Sequence, residues 1–468
     1  MRFTPIIALL SNTSRGNRIR NISILRRSST ATLSSMIIAT EKTFECSDGM
    51  SLATCHWTNA NVDAPSPSPL SQSASSLPTR RILCLHGWLD NAASFHRLAP
   101  LLLDSSVSSS STASSNDKVD GDGKISMGVP STEIVALDFP GHGKSGHKSV
   151  DGPPQLLAEY AYYVAELVDA LQWGNNEGAD SAVSGSRTAM GNIKRNTDSL
   201  VNGEGKESPP SPSPATNNTS TATTQNKIIL VGHSMGAGVA TILCAAFPEW
   251  FSSLVLLEGG LVARNANDAA RHVRAACQRR LKSNRTLFPN HRGGGSEEGI
   301  GFSPPPRAKV YNDLDVAIKA RLSTTERMPG DQSLSYEAAR ELVLRATTPA
   351  AAMTTSTTTT DDLPSSLSSS ESIVFRHDPR LQWPSLQYYT REQVEAFYHD
   401  VHASRIPVCC LSATDGWPVE AWAENLVKDV LNPVYRKQLS GSHHFHADPD
   451  SVHAVAENVL AFLEEQNL

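Results

Sequence analysis

No run of about 18 apolar residues occurs in the 468-residue chain, so nothing in it reads as a membrane-crossing helix and a soluble protein is expected. A basic stripe with interleaved aromatics is also missing. Lys and Arg number 41 against 47 Asp and Glu, a formal net charge of −6, so a nucleic-acid partner is not expected. The seven cysteines are odd in number and irregularly spaced, which argues against a disulfide framework; Cys84, Cys409 and Cys410 lie in apolar runs, where a buried thiol is ordinary. No acidic residue precedes Glu41, while arginines stand at 2, 15, 18, 20, 26 and 27 among many serines and threonines. That composition predicts a transit peptide over residues 1–40, most simply mitochondrial, with another organelle or the cytoplasm as alternatives.

Core-forming sequence is also scarcer than the length suggests. Ser/Thr/Pro/Asn-rich tracts near 64–76, 104–130, 174–226, 290–306 and 350–372 lack the apolar residues needed to offset chain entropy, and they read as inserts within one domain. Roughly 300 residues remain, the size of one ordinary enzyme domain with a lid.

Within those residues, short apolar runs alternate with amphipathic helical patterns, the mark of a mostly parallel sheet with helices on both faces. "KTFECS" and "SLATCHW" predict an opening hairpin. "RILCLH", "EIVALD", "KIILVG", "SLVLLE" and "IPVCCLS" predict buried strands, and "YRKQLSG" closes the sheet. Residues 261–403 are mainly helical and interrupt the series after its sixth main strand, as a lid over the strand ends would. The chain thus divides into a leader (1–40), a core in two parts (41–260 and 404–468) and the lid (261–403) between them.

The stretch "IILVGHSMGAGVA", residues 228–240, places Ser234 between a strand and a small-residue helix, flanked by Gly232 and Gly236. This is the G-x-S-x-G elbow that presents a nucleophilic serine on a strained turn. A serine hydroxyl needs a base and the base an orienting acid, in the order Ser, acid, His on such a sheet. Asp415, in "ATDGWP" after a strand, is the first choice of acid, and Glu258, ending "SLVLLE", is the alternative. His443, in "SGSHHFHADP", is the first choice of base, with His446 as the alternative. A metal site built from His443, His444 and His446 lacks a matching acidic or cysteine set, so no metal or other cofactor is expected. The backbone N–H groups of Trp88, in "HGWLDN", and of Met235 are the expected oxyanion donors. "DFPGHGKSG" at 138–146 reads as a structural turn below the site. Trp383, Tyr388, Tyr389, Phe397 and Tyr398 either line an acyl pocket or pack within the lid.

"LCLHGWLDNAASFHRLAPLL", "VALDFPGHGKS", "LVGHSMGAGVA" and "GSHHFHADP" resemble sequence blocks of the α/β-hydrolase fold, and within it of the serine hydrolase-like proteins. "FRHDPRL" at 375–381 is similar to a lid-to-core segment of such hydrolases. The resemblance implies an α/β-hydrolase fold with Ser234 as nucleophile, Asp415 as acid, His443 as base, and Trp88 with Met235 as oxyanion donors. Serine at the elbow departs from epoxide hydrolases and haloalkane dehalogenases, which carry aspartate there. The expected function is cleavage of a carboxylic ester or related acyl bond in a small-molecule substrate, through an acyl-enzyme. A ligand-binding or regulatory protein with little turnover, and an acyltransferase, are the alternatives.

Overall fold

The computed structural model describes residues 22–24, 36–60, 80–103, 132–148, 156–174, 227–287, 309–353, 371–386 and 388–468. Most of the five polar inserts and most of the leader lie outside the described residues. The central sheet comprises β1 (Ile22–Ile24), β2 (Met36–Glu45), β3 (Ser51–Ala60), β4 (Arg80–Leu85), β5 (Thr132–Leu137), β6 (Ile228–His233), β7 (Phe251–Leu257), β8 (Val408–Asp415) and β9 (Tyr435–Ser442). Their order is β1-β2-β3-β5-β4-β6-β7-β8-β9. Pairing is antiparallel from β1 through β3 to β5 and parallel from β5 to β9. The opening hairpin is longer than "KTFECS" suggests, with β2 starting at Met36, inside the expected leader.

β4 and β6 are apolar along both faces because helices cover both. On one side α2 (Leu157–Ala170), α3 (Met235–Ala246) and α7 (Arg391–Ala403) join a core with Leu83, Leu85, Leu230 and Leu254. On the other, α1 (Leu98–Leu103) and α8 (Val452–Glu465) enclose Ile82, Cys84, Ile229 and Val255. All seven cysteines are free thiols.

Between β7 and β8 the chain leaves the sheet to form α4 (Ala269–Leu287), α5 (Leu314–Thr325) and α6 (Tyr336–Ala346). The expected lid boundary at 403 is corrected at one point. α7 buries Val394, Tyr398 and Val401 in the core with α3, so it is a layer of the sheet domain. The α5–α6 pair has its own small core around Ile318, Ala339, Leu342 and Val343. Buried polar contacts fasten it to the sheet domain. Arg345 Nε donates to both oxygens of Asp138 (3.0 and 2.9 Å), and its Nη1 to Glu41 (2.9 Å). Asn91 Nδ2 donates to the Leu342 carbonyl at 3.0 Å. Asp138 also accepts from the N–H groups of Ala92 and Lys144, both at 2.7 Å, which makes the 138–146 turn a wrap around one buried carboxylate.

Candidate active site

The parallel strands deliver their carboxyl ends to one edge, where an α/β sheet forms its ligand crevice. Trp88 follows β4, Ser234 follows β6, Glu258 follows β7 and His443 follows β9, and all four line one cleft of about 1970 Å³. Ser234 has φ +52 and ψ −117, outside ordinary regions for a residue with a Cβ, and its N–H donates to the Leu257 carbonyl at 3.1 Å. This strain lifts the hydroxyl clear of strand and helix. A Cβ at Gly236 would sit 2.2 Å from the Leu85 carbonyl oxygen, so only glycine lets α3 start against the end of β4. Met235 is therefore the first residue of a helix, with an N–H that has no intrahelical acceptor, and it lines the cleft with Trp88.

The two candidate acids occupy different environments. Glu258 Oε2 lies 3.2 Å from His443 Nδ1, with both side chains more than nine-tenths buried. The same carboxylate accepts from Ala413 N–H at 2.6 Å through Oε1 and from Trp417 N–H at 3.0 Å through Oε2. Asp415 is exposed, and its carboxylate accepts from the neighbouring Thr414 hydroxyl at 3.1 Å. The first-choice pairing of Asp415 with His443 is thus replaced by Glu258 with His443. The cause is local: the β8–β9 register shifts between Ala413 and Asp415, and Thr414 and Asp415 are both exposed. Gly416 does not serve to aim Asp415 inward. A Cβ there would lie 2.4 Å from the Glu258 carboxylate oxygens, so the glycine makes room for Glu258.

The neighbouring histidines are buried and distinct in role. His233, the variable residue of the elbow, shares a hydrogen bond with the His443 carbonyl through Nε2 at 2.8 Å. His444 Nε2 lies 3.2 Å from Asp90 Oδ2, and Arg321 of α5 reaches Asp90 Oδ1 at 2.5 Å. Burial opposes the Asp90 carboxylate, yet His444 and Arg321 outweigh it and hold that carboxyl well below its usual range. Burial lowers His444 despite Asp90, leaving Arg321 as the permanent countercharge. The alternative base, His446, is away from the cleft lining. Its ring centroid is 4.0 Å from that of His233 and 5.3 Å from that of Phe95, and among the described residues neither ring nitrogen has a hydrogen-bond partner.

Burial pushes His446 down to about 3. A ring neutral when folded but able to bind a proton near 6.5 when unfolded stabilises fully above that pH, and this contribution is lost as pH falls toward 3. Between about pH 7.5 and pH 5.5 the loss amounts to about 1.4 kcal/mol for one such ring. His446→Phe should therefore flatten the pH dependence of urea-unfolding stability by about that amount. An unchanged slope would show that the ring protonates without unfolding.

Trp383, Tyr388, Tyr389 and Tyr398 line the cleft, whereas Phe397 packs against the core. Among the described residues no group of three or more His, Cys, Asp or Glu has the arrangement to hold a metal ion, and no helix is long and apolar enough to cross a membrane. Sequence reasoning missed Asp90, Arg321 and Gln332. Asp90 was within view in "HGWLDN", but Arg321 on α5 and Gln332 between α5 and α6 carry no local signal.

A sequence model described as the alpha/beta hydrolase family matches residues 82–457. A serine hydrolase-like protein of Dictyostelium discoideum is 21% identical over 394 residues, covering 83% of this chain and 76% of that one. The human serine hydrolase-like protein is 25% identical over 219 residues, 46% of this chain and 69% of its own. A zebrafish serine hydrolase-like protein is 27% identical over 182 residues, but only 31% of its length is covered. Among solved structures, a hypothetical protein of Pseudomonas aeruginosa aligns with a TM-score of 0.52 at 23% identity, over 95% of this chain and 99% of that one.

Proposed function

Because the chain belongs to the alpha/beta hydrolase family, we propose that it is a serine hydrolase cleaving a carboxylic ester or related acyl bond, with Ser234, His443 and Glu258 as its triad. The observation that carries this reading is the buried contact of His443 Nδ1 with Glu258 at the strand edge that also bears the strained Ser234. Nδ1 is committed to the carboxylate, so Nε2 is the nitrogen left to serve the serine. Ser234 Oγ attacks the acyl carbon and passes its proton to His443 Nε2. Glu258 keeps the ring in one tautomer and stabilises the imidazolium. The negative charge on the carbonyl oxygen is met by the N–H groups of Trp88 and Met235. Collapse expels the alcohol, which takes the proton back from Nε2, and water then repeats the sequence to free the acid and restore Ser234.

The cleft is broad and mixed in character, with Trp383 and Tyr389 alongside Arg279 and Arg391, so it suits an acyl compound of appreciable size. Purified protein should turn over aryl esters, with acid and alcohol released in equal amounts. Absence of turnover across short and long acyl esters, thioesters and lactones would favour a binding protein. Acyl products formed on added alcohols, in place of free acid, would favour a transferase.

A further inference from the structure

Gln332 lies between α5 and α6, in the polar stretch "MPGDQSLS", and its side chain is buried. Its Oε1 accepts from the His443 N–H at 3.0 Å. Its Nε2 lies 3.0 Å from the Gly416 carbonyl oxygen and 3.1 Å from those of Asp415 and Pro329. One amide thus grips the residue carrying the base and the turn whose Trp417 N–H fixes Glu258. Adjacent contacts fasten the same segment: the Ser442 hydroxyl donates to the Ser333 carbonyl at 2.6 Å, and Ser335 N–H donates to Asp448 Oδ1 at 2.8 Å. Glu258 also bonds both loops, through Trp417 N–H and His443 Nδ1, whereas Gln332 does so from the segment between α5 and α6.

Resting on the triad reading above, we infer that Gln332 is a positioning residue, through which the lid segment sets the distance between His443 and Glu258. His443 and Glu258 stand on loops from strands β9 and β7, with β8 between them, and their 3.2 Å contact depends on how those loops are spaced. Backbone flanking His443 is gripped by His233 at its carbonyl and by Gln332 at its N–H. Removing the amide leaves a buried N–H and three carbonyls without that partner, and the loops must shift or admit water to satisfy them. A displacement of about 1 Å at a base is enough to cost about a hundredfold in rate. The lid is then part of the catalytic frame, in addition to covering the cleft.

The test compares wild type, Gln332→Met and Gln332→Glu in the full chain. Methionine keeps the volume without the hydrogen bonds; glutamate keeps an acceptor for His443 N–H but, when ionised, has no donor. Glu341→Gln, which removes the Arg97–Glu341 ion pair between α6 and the sheet domain, controls for general loosening of the lid. Two readouts are taken: kcat and KM on an aryl ester, and the far-downfield proton resonance of the His443 Nδ1–H bonded to Glu258, identified by its loss in His443→Gln. Gln332→Met should lower kcat by about ten- to a hundredfold with KM within about threefold, and its downfield resonance should broaden or vanish. Gln332→Glu should perturb the resonance likewise, and Glu341→Gln should leave both readouts near wild type. A wild-type resonance in either Gln332 variant overturns the inference, whatever happens to kcat. Should wild type hydrolyse no ester, the catalytic reading fails, while the resonance still decides whether Gln332 places His443.

Discussion

Ser234→Ala should lower kcat for ester hydrolysis by about a million-fold, judged by other serine hydrolases, while the fold and cleft survive. The change removes one oxygen from a residue whose φ of +52 is imposed by its surroundings. Its N–H is bonded to Leu257 and its carbonyl accepts from Ala237 and Gly238, all through the backbone, so the elbow does not depend on the hydroxyl. Residual turnover reflects the oxyanion donors and substrate binding alone. Circular dichroism and thermal melting should stay close to wild type, separating loss of chemistry from loss of structure.

Glu258→Gln should cost on the order of ten-thousand-fold in kcat, because an amide that donates to Nδ1 holds the ring in the wrong tautomer. Asp415→Asn should change kcat by less than about threefold, since exposed side chains away from a site's contacts contribute little. The contrast is steep because the Glu258 carboxylate accepts from two backbone N–H groups as well as facing His443, whereas among the described residues Asp415 meets only Thr414 through its side chain. Stopped ester assays on the two variants, with melting curves alongside, read this directly. A crippled Asp415→Asn with an active Glu258→Gln would return the acid to β8.

Local sequence carries the proposed nucleophile and most of the sheet. "IILVGHSMGAGVA" states strand, turn and helix within thirteen residues, and each of β4 to β8 contains an apolar run. The choice of acid is not local. Asp415 and Glu258 are both strand-end carboxylates, and a register irregularity at Ala413 and Asp415 decides which one faces inward. Gly416 is ambiguous for the same reason, since its small size serves a carboxylate 158 residues earlier in the chain. α7 has an amphipathic pattern that marks a helix without naming its neighbour, and its packing on α3 is what separates it from α4 to α6. Gln332 is invisible to pattern reading, because a polar residue in a polar stretch looks like solvated loop.

The most direct test of the account is labelling of the wild-type protein with a fluorophosphonate probe, followed by mass-spectrometric mapping of the modified peptide. The probe reports a serine activated by a base and oxyanion donors, without requiring the physiological substrate. A single adduct on Ser234 is expected, formed far more slowly in Glu258→Gln and at an unchanged rate in Asp415→Asn. No adduct, or an adduct on another serine with Ser234 unmodified, would contradict it.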